Sequence, residues 1–358
     1  MSQQKEEQRV MNVRDDRVKE RIAFLGQEPD QLRQVRGHEL YTILGELGLT
    51  HGQYFRALDT NLADYCAQEF GINLDRVTVE RFFQSDPNAK WLFPDIVRDA
   101  VLTGMRTKPR YPELIIRDET VPGAAYDVPY VKESADEEEL RHVAEGAAIP
   151  ESAITYGNRV VRLEKRGRGV LASYEVVRRM SVDMLRVHLQ RMGERLGRDL
   201  DSRLCHVLVH GDASGPETAA EVVSFGGPEL RYSDLVNGFM TLTLDHYFTP
   251  THLLADAAMC KDILDLEEFK EGMLFDFAKT GNLPTPLGMR LAPMADQPDD
   301  KLTILDAGYA VEKLTEQDLL VENDKLINQQ WERTYLTVVT DFAVIYEKAR
   351  VVINSDWE

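Results

Sequence analysis

The chain has 358 residues, of which 43% are hydrophobic and 29% charged, a composition typical of a globular protein with room for two or three domains. Its 61 acidic and 42 basic residues give a formal net charge of −19, which disfavours tight, sequence-independent binding to nucleic acid. The three cysteines are widely spaced and predict neither a disulfide framework nor a zinc site, so we expect folding in a reducing cytoplasm. The first residues are polar and the sequence has no long apolar run, so we expect neither secretion nor a membrane span.

The first 85 residues predict short, charged helices separated by turns. Helical patterns cover Arg14 to Phe24, Gly37 to Leu47 and Thr50 to Phe70, with a break from Gly26 to Pro29. A small helical domain of its own is one interpretation of this region.

Two neighbouring stretches carry opposite charge. Residues 113–145 hold ten acidic and three basic residues, whereas residues 158–168 hold five basic and one acidic residue. Solvated faces are the usual explanation of such runs, but opposite charges on one projecting ribbon would also favour a defined register between neighbouring subunits. The candidate contact residues are Glu137, Glu138, Glu139, Arg159, Arg162, Lys165, Arg166 and Arg168.

A ribbon and a long helix follow. Val161 and Leu163 alternate with charged residues in the period of a strand, and the Gly167-Arg168-Gly169 triplet predicts a hairpin turn. Ser181 is placed to cap a helix that runs to Val209, roughly 43 Å at 1.5 Å per residue. Its apolar positions recur in steps of three and four and predict a buried face: Leu185, Leu189, Met192, Leu196, Leu200, Leu204 and Val207.

After a loose segment from Gly211, the pattern alternates between helix and strand, as in an α+β domain. The expected elements are a helix from Tyr232 capped by Ser233, a buried strand at His252–Ala255, a helix at Ala257–Leu264, a loop at Gly281–Pro298, and strands within Tyr335–Ile353 that pair beside the long helix. In the last segment, Phe342, Val344 and Tyr346 are expected on one face, and Asp341 and Glu347 on the other.

No pattern predicts a catalytic, cofactor or metal site. The loop from Gly211 to Pro216 resembles a serine nucleophile loop but has the wrong spacing, and no partner histidine is marked. His206 and His210 share a helical face at metal-ligand spacing next to Cys205, yet neither a glutamate base nor a third ligand is evident. Exposed or satisfied histidines are the favoured interpretation.

The order of these parts resembles that of tailed-phage major capsid proteins of the Hong Kong 97 fold. The matching pieces are collinear from residue 91 to residue 353 and comprise Trp91–Val97, the turn Ile149–Ser152, the long helix, Tyr232–Phe269, Pro286–Met289 and Arg333–Ile353. The resemblance implies an α+β Hong Kong 97-like fold with an N-terminal arm, an extended E-loop, a peripheral domain with a spine helix, and an axial domain.

On this resemblance the chain divides into six segments. They are a helical arm or extension at 1–85, a segment leading into the capsid core at 86–112, the E-loop with flanking strands at 113–168, the peripheral domain with the spine helix at 169–214, the axial domain at 215–330, and closing strands of the peripheral domain at 331–358.

The resemblance also implies a function. It is that of a major capsid protein that assembles in the host cytoplasm into hexamers and pentamers of a virion shell around double-stranded DNA, without sequence-specific binding, cofactors or a membrane. Scaffold, portal and decoration proteins are the further partners it implies, and the E-loop would lie across the adjacent subunit.

Two alternatives stay open at this point. One is an encapsulin, the shell of a nanocompartment, although encapsulins are usually shorter and lack a long N-terminal extension. The other is a cytosolic metal-dependent enzyme with His206 and His210 as ligands.

Overall fold

The structure is a computed structural model, and it describes residues 38–46, 54–55, 62–85, 92–107, 109–131, 154–212, 214–215, 218–227, 229–270, 287–326 and 328–354. The predicted helix Arg14 to Phe24, the break at Gly26–Pro29, the Ile149–Ser152 turn and Glu137 to Glu139 lie outside these ranges.

The described residues before residue 115 are mostly helical. They contain the helices α1 (His38–Glu46), α2 (Leu62–Phe70), α3 (Val79–Ser85), α4 (Phe93–Thr107) and the short α5 (Tyr111–Leu114). Strands β1 (Asp118–Thr120), β2 (Ala125–Val131), β3 (Ile154–Arg162) and β4 (Glu164–Ser173) follow, and then α6 (Tyr174–Arg179) and the 29-residue α7 (Val182–His210).

The second half alternates between strands and helices. It contains β5 (Glu221–Ser224), α8 (Tyr232–Met240) continued by a π-helical turn (Thr241–Asp245), β6 (His252–Ala255), α9 (Ala257–Asp265) and α10 (Glu267–Lys270). Strands β7 (Arg290–Pro293), β8 (Lys301–Leu305), β9 (Val311–Leu326) and β10 (Trp331–Val344) come next, followed by a 3-10 turn (Glu347–Ala349) and β11 (Arg350–Asn354).

The described strands form three sheets. A four-stranded sheet has the order β1-β9-β10-β4, a five-stranded mixed sheet has the order β5-β11-β8-β6-β7, and β2 pairs with β3 alone. In the mixed sheet, β11 is parallel to β5 and antiparallel to β8, and β6 is antiparallel to β8 and parallel to β7.

The chain divides into two compact units. The first comprises Met1–Lys108, Gly167–Leu196 and Leu319–Thr337, and the second comprises Pro109–Arg166, Gly197–Asp318 and Val338–Glu358. Residues of α7, β4, β9 and β10 belong to both units.

In the first unit, α4 and α7 cross with their backbones in close contact. A Cβ added at Gly104 would lie 2.0 Å from the carbonyl oxygen of Gln190, and one added at Gly193 would lie 2.0 Å from that of Val101. No side chain fits at either point, so each helix has a glycine where the other helix's backbone passes.

The core of the second unit lies against the mixed sheet. Strands β8 and β11 are central and have apolar residues buried on both faces, as a strand covered on both sides requires. Leu235 of α8 and Ile263 of α9 pack with Leu253, Ile304 and Ile353 of the sheet, and all five are fully buried.

The structure confirms the long helix and most of the elements after it. Helix α7 begins one residue after Ser181, whose Oγ accepts a hydrogen bond from the Met184 N–H at 3.2 Å. The strand His252–Ala255 has the predicted bounds, and α9 ends one residue beyond the predicted helix. None of the described helices combines the length and apolar character that crossing a membrane requires.

Three local predictions were wrong. Gly167 and Gly169 lie inside β4 instead of at a turn, because β4 passes close to β10: a Cβ at Gly167 would lie 2.9 Å from the Leu336 carbonyl oxygen. Ser233 is inside α8, and the carboxylate of Asp234 accepts the Arg231 N–H at 2.9 Å at that helix start. Part of the predicted loop Gly281–Pro298 is strand β7.

The predicted final strands exist, but they do not pair with each other. Strand β10 lies between β9 and β4, whereas β11 lies between β5 and β8. Asp341, expected on a polar face, is also buried, because its carboxylate pairs with Arg203.

Candidate subunit-contact surface

The candidate contact residues lie on or beside a two-stranded ribbon in the second unit. Strands β2 and β3 pair antiparallel, with Tyr126 opposite Val161 and Tyr130 opposite Thr155, and the register shifts between Asp127 and Pro129. Val128 and Val161 are fully buried in a small apolar cluster with Val121 and Leu314. This cluster supports the end of the ribbon nearest residue 162.

Arg159 of β3 is buried, and its guanidinium is bonded inside the subunit. Nη2 donates to Asp212 Oδ2 at 3.2 Å and to the Val344 carbonyl oxygen at 3.0 Å, and Nη1 donates to Glu347 Oε1 at 3.1 Å. The Asp212 side chain is fully buried, while that of Glu347 is 41% exposed. The charge of Arg159 is therefore used to hold β3 to the segment after α7 and to the end of β10.

The loop after α7 is built around Asp212. Its carboxylate also accepts the N–H groups of Ser214 at 2.9 Å and Val344 at 2.9 Å, and the hydroxyl of Ser214. Gly211 has a φ of +87°, the left-handed conformation common after a helix, and a Cβ there would lie 2.3 Å from Thr218 Oγ1. Ser214 thus helps to satisfy a buried carboxylate, which accounts for this loop without catalysis.

The other basic candidates face solvent to a larger extent. Arg162, Lys165 and Arg168 are exposed, and Arg166 is half-buried with its guanidinium 2.9 Å from Glu164 in an exposed ion pair. Ion pairs of this kind contribute little to stability, so these side chains can be used for other contacts. Arg168 belongs to the first unit and the other three to the second.

Several buried or half-buried charged residues of the second unit were not predicted to pair inside the subunit. Arg203 Nε donates to Asp341 Oδ1 at 2.8 Å, and Asp201 accepts the N–H of Tyr111 at 2.8 Å, although burial raises the pKa of that carboxyl. Arg350 is buried and donates from Nε to the Leu208 carbonyl oxygen at 2.7 Å, and burial lowers its pKa to about 10. In the sequence, a charged residue inside an apolar strand segment, as at Asp341 and Arg350, could have indicated such buried pairs.

The two histidines on α7 lie close together, but the described residues place no third metal ligand beside them. The rings of His206 and His210 lie 4.9 Å apart on the exposed face of the helix. Partial burial lowers the pKa of His210, and the neighbouring His206 lowers it further. Burial raises the pKa of the neighbouring Cys205 to about 12, which disfavours the thiolate that binds metals. Among the described residues, no three His, Cys, Asp or Glu side chains are placed to hold a metal ion.

Comparisons with known proteins identify the family of this chain. A family model described as "Phage capsid protein" matches residues 157–350, which is more than half of the chain. A comparison with curated proteins finds no match.

Among solved structures, the capsid of an empty GTA particle is 14% identical, with 70% of this chain and 90% of that chain covered and a TM-score of 0.52. A virus-like particle from Pyrococcus furiosus is 13% identical over 73% and 98% of the two chains, with a TM-score of 0.49. Gordonia phage Cozz is 13% identical over 68% and 85%, with a TM-score of 0.48. Because the sequence identity is only 14%, the similarity to the GTA capsid shows a shared fold and no more.

Proposed function

This chain belongs to the phage capsid protein family, and we propose that its subunits join as hexamers and pentamers that close into a shell around double-stranded DNA. The protein is a phage major capsid protein of the Hong Kong 97 fold, a structural component of the virion that forms an icosahedral shell. The family match over residues 157–350 carries this conclusion, because it includes most of β3, the whole spine helix α7 and strands β5 to β8 of the mixed sheet.

The net charge of −19 supports enclosure of the genome without tight binding, since an acidic lining does not neutralise phosphate. Assembly of many such subunits requires that opposite charges meet at their contacts. We propose that residues 113–168 are the E-loop and that its acidic Glu137, Glu138 and Glu139 and its basic Arg162, Lys165, Arg166 and Arg168 define the register between neighbours. Arg159 is left out of this set, because its guanidinium is buried and paired inside the subunit.

The remaining segments follow the same proposal. Residues 1–85 form the arm or extension, 86–112 lead into the core, 169–214 and 331–358 form the peripheral domain, and 215–330 form the axial domain. Scaffold, portal and decoration proteins are the further partners we propose.

The test is sedimentation and negative-stain microscopy of the purified chain across salt and protein concentration. We expect hexamers, pentamers or closed particles, because a long ribbon with few apolar residues is stabilised by a neighbour. A compact monomer under every condition would contradict the proposal. Nuclease treatment of particles from infected cells shows whether they enclose DNA or protein. Protected DNA supports a virion shell, and a protein cargo without DNA indicates an encapsulin.

A further inference from the structure

His246 follows the π-helical turn that continues α8, and its ring lies between two other elements of the second unit. Ring atom Nε2 is 2.9 Å from Oε2 of Glu221 on β5, and Nδ1 is 2.9 Å from the carbonyl oxygen of Lys348 in the 3-10 turn after β10. Only 8% of the His246 side chain is exposed. One imidazole therefore bridges three elements that are distant in sequence.

Both partners of this ring can only accept hydrogen bonds. A carboxylate oxygen and a main-chain carbonyl oxygen carry no proton, so each ring nitrogen must donate one. A neutral imidazole has one N–H group and one lone pair, and that lone pair would face an acceptor oxygen at 2.9 Å. The imidazolium donates to both oxygens, and its bond to the carboxylate is charge-assisted. The geometry thus requires the doubly protonated ring.

The surroundings of the ring favour its charged form. The titratable and charged side chains of the surrounding elements are Glu221 of β5, Asp245 and Tyr247 beside the ring, Tyr346, Glu347 and Lys348 at the 3-10 turn, and Arg350 of β11. Glu347 is paired with Arg159, and Arg350 donates to the Leu208 carbonyl oxygen. Glu221 is left as the carboxylate bonded to the ring. The ring also lies at the C-terminal end of a helical segment, where cations are stabilised.

The contacts of His246 also support an unusual backbone at the next residue. Tyr247 has a φ of +60°, a conformation that favours glycine, and its side chain is 78% exposed. Such a conformation persists only where the surrounding contacts enforce it. His246 is held by its two ring bonds, and Phe248 is held by the rings of Tyr309 and Tyr346 at 5.7 and 5.8 Å. Tyr247 is therefore fixed from both sides.

We propose that the His246 bridge, formed by Glu221, His246 and Lys348, is a pH-sensitive contact that is complete only while both ring nitrogens carry a proton. Loss of one proton to solvent leaves a lone pair facing an oxygen, so one of the two contacts opens. Histidine is the side chain that ordinarily changes charge between pH 5 and 8. Opening frees β5 or the 3-10 turn from the end of α8. The inference goes beyond the proposed function, because it concerns one subunit whether or not subunits assemble.

Nuclear magnetic resonance of the full chain with nitrogen-15-labelled histidine tests the protonation of the ring. The unassembled subunit is measured at pH 6, and His246→Gln identifies the signals of the ring by their loss. We expect two ring N–H protons for His246, because hydrogen-bonded protons exchange slowly with water. His188 is the matched control, since its side chain is exposed and its ring protons should exchange too fast to be seen. A single N–H proton on the His246 ring at pH 6 would overturn the proposal.

Amide hydrogen exchange measures whether the bridge opens as the pH rises. Exchange in residues 220–225 and 346–350 is followed at pH 6 and at pH 8.5 and corrected for the intrinsic effect of pH on exchange. We expect protection in one of these segments to fall about tenfold at pH 8.5, as the loss of one charge-assisted hydrogen bond predicts. Helix α9 of the same unit is the internal reference and should keep its protection.

Two variants assign this change to the bridge. Glu221→Gln replaces the carboxylate by an amide that can donate to a neutral ring, so protection should be the same at both pH values. His188→Gln removes an exposed histidine and should behave as the parent chain does. Equal protection of the parent chain at the two pH values would overturn the proposal, as would a tenfold loss that persists in Glu221→Gln.

Discussion

In the part of the chain that the structure describes, several buried charged residues join segments that are distant in sequence. Arg159 joins the ribbon to Asp212 after the spine helix and to Glu347 beyond β10. Removing two charges from water costs several kcal/mol per ion, and only close pairing with further hydrogen bonds compensates for it. The loss of one partner therefore leaves an uncompensated charge in the interior.

Arg159→Met should lower the free energy of unfolding by about 3 kcal/mol, because it leaves the buried Asp212 carboxylate without its cation. Arg162→Met changes an exposed residue of the same strand and should stay within about 0.5 kcal/mol of the parent chain. Urea unfolding of the unassembled subunit measures both. Equal midpoints for the two variants would show that the Arg159 pair contributes nothing to stability.

His252 gives the subunit a dependence on pH. Burial, assisted by Arg290, lowers the pKa of His252 in the folded state below its unfolded value of about 6.5. The unfolded chain then binds more protons below that pH, so stability present at neutral pH is lost as the pH falls. We expect the melting temperature of His252→Asn to fall less between pH 7 and pH 5 than that of the parent chain. Parallel curves would contradict this assignment.

At the scale of elements, the spine helix is amphipathic, and its buried face is clearest toward its C-terminal end. Leu200 and Leu204 are 1% and 0% exposed, whereas Leu196 is only half-buried. The 3.6-residue period predicted the face correctly, but it did not show where along the helix neighbouring elements pack most closely.

Leu200→Asp should abolish stable folding or cost several kcal/mol, whereas Leu200→Met should cost less than about 1.5 kcal/mol because it conserves volume. Leu196→Asp should cost less than Leu200→Asp, since its side chain is partly in water. Soluble yield and melting temperature rank the three variants. Similar values for Leu200→Asp and Leu200→Met would show that this face is not buried.

The elements that could be predicted from sequence are those set by local patterns. Ser181 as the cap of α7, the strand at residue 252 and the helix after it depend on spacing and capping alone. Gly167 and Asp341 depend instead on distant parts of the chain, namely the backbone of β10 and the guanidinium of Arg203. Arg159 was predicted as a contact residue because a run of charged residues does not show which of them pair inside the subunit.

At the scale of the whole molecule, assembly requires subunits of net charge −19 to associate. Exposed pairs are individually worth about 0.2 to 1 kcal/mol, but a shell repeats each contact in every subunit. The charges that oppose one another across a contact therefore affect assembly more than they affect the stability of one subunit.

Reversing Arg162, Lys165 and Arg166 together to Glu should block assembly and leave the subunit folded. The segment 158–168 would then carry two basic and four acidic residues in place of five and one. Raised salt should partly restore particles, since the Debye length falls from about 10 Å at 0.1 M to about 3 Å at 1 M. Circular dichroism checks the fold, and microscopy counts particles. Normal particle formation by this variant at low salt would show that the charges do not set the register.

The glycines at the crossing of α4 and α7 restrict how the first unit can rearrange. An axial shift by one helical turn is about 5.4 Å and would bring the side chains that flank each glycine against the opposing backbone. Each helix therefore blocks sliding of the other in both directions. Any change of shape in the shell should therefore move α4 and the N-terminal half of α7 together, and bending within the first unit should occur in segments that lack such contact.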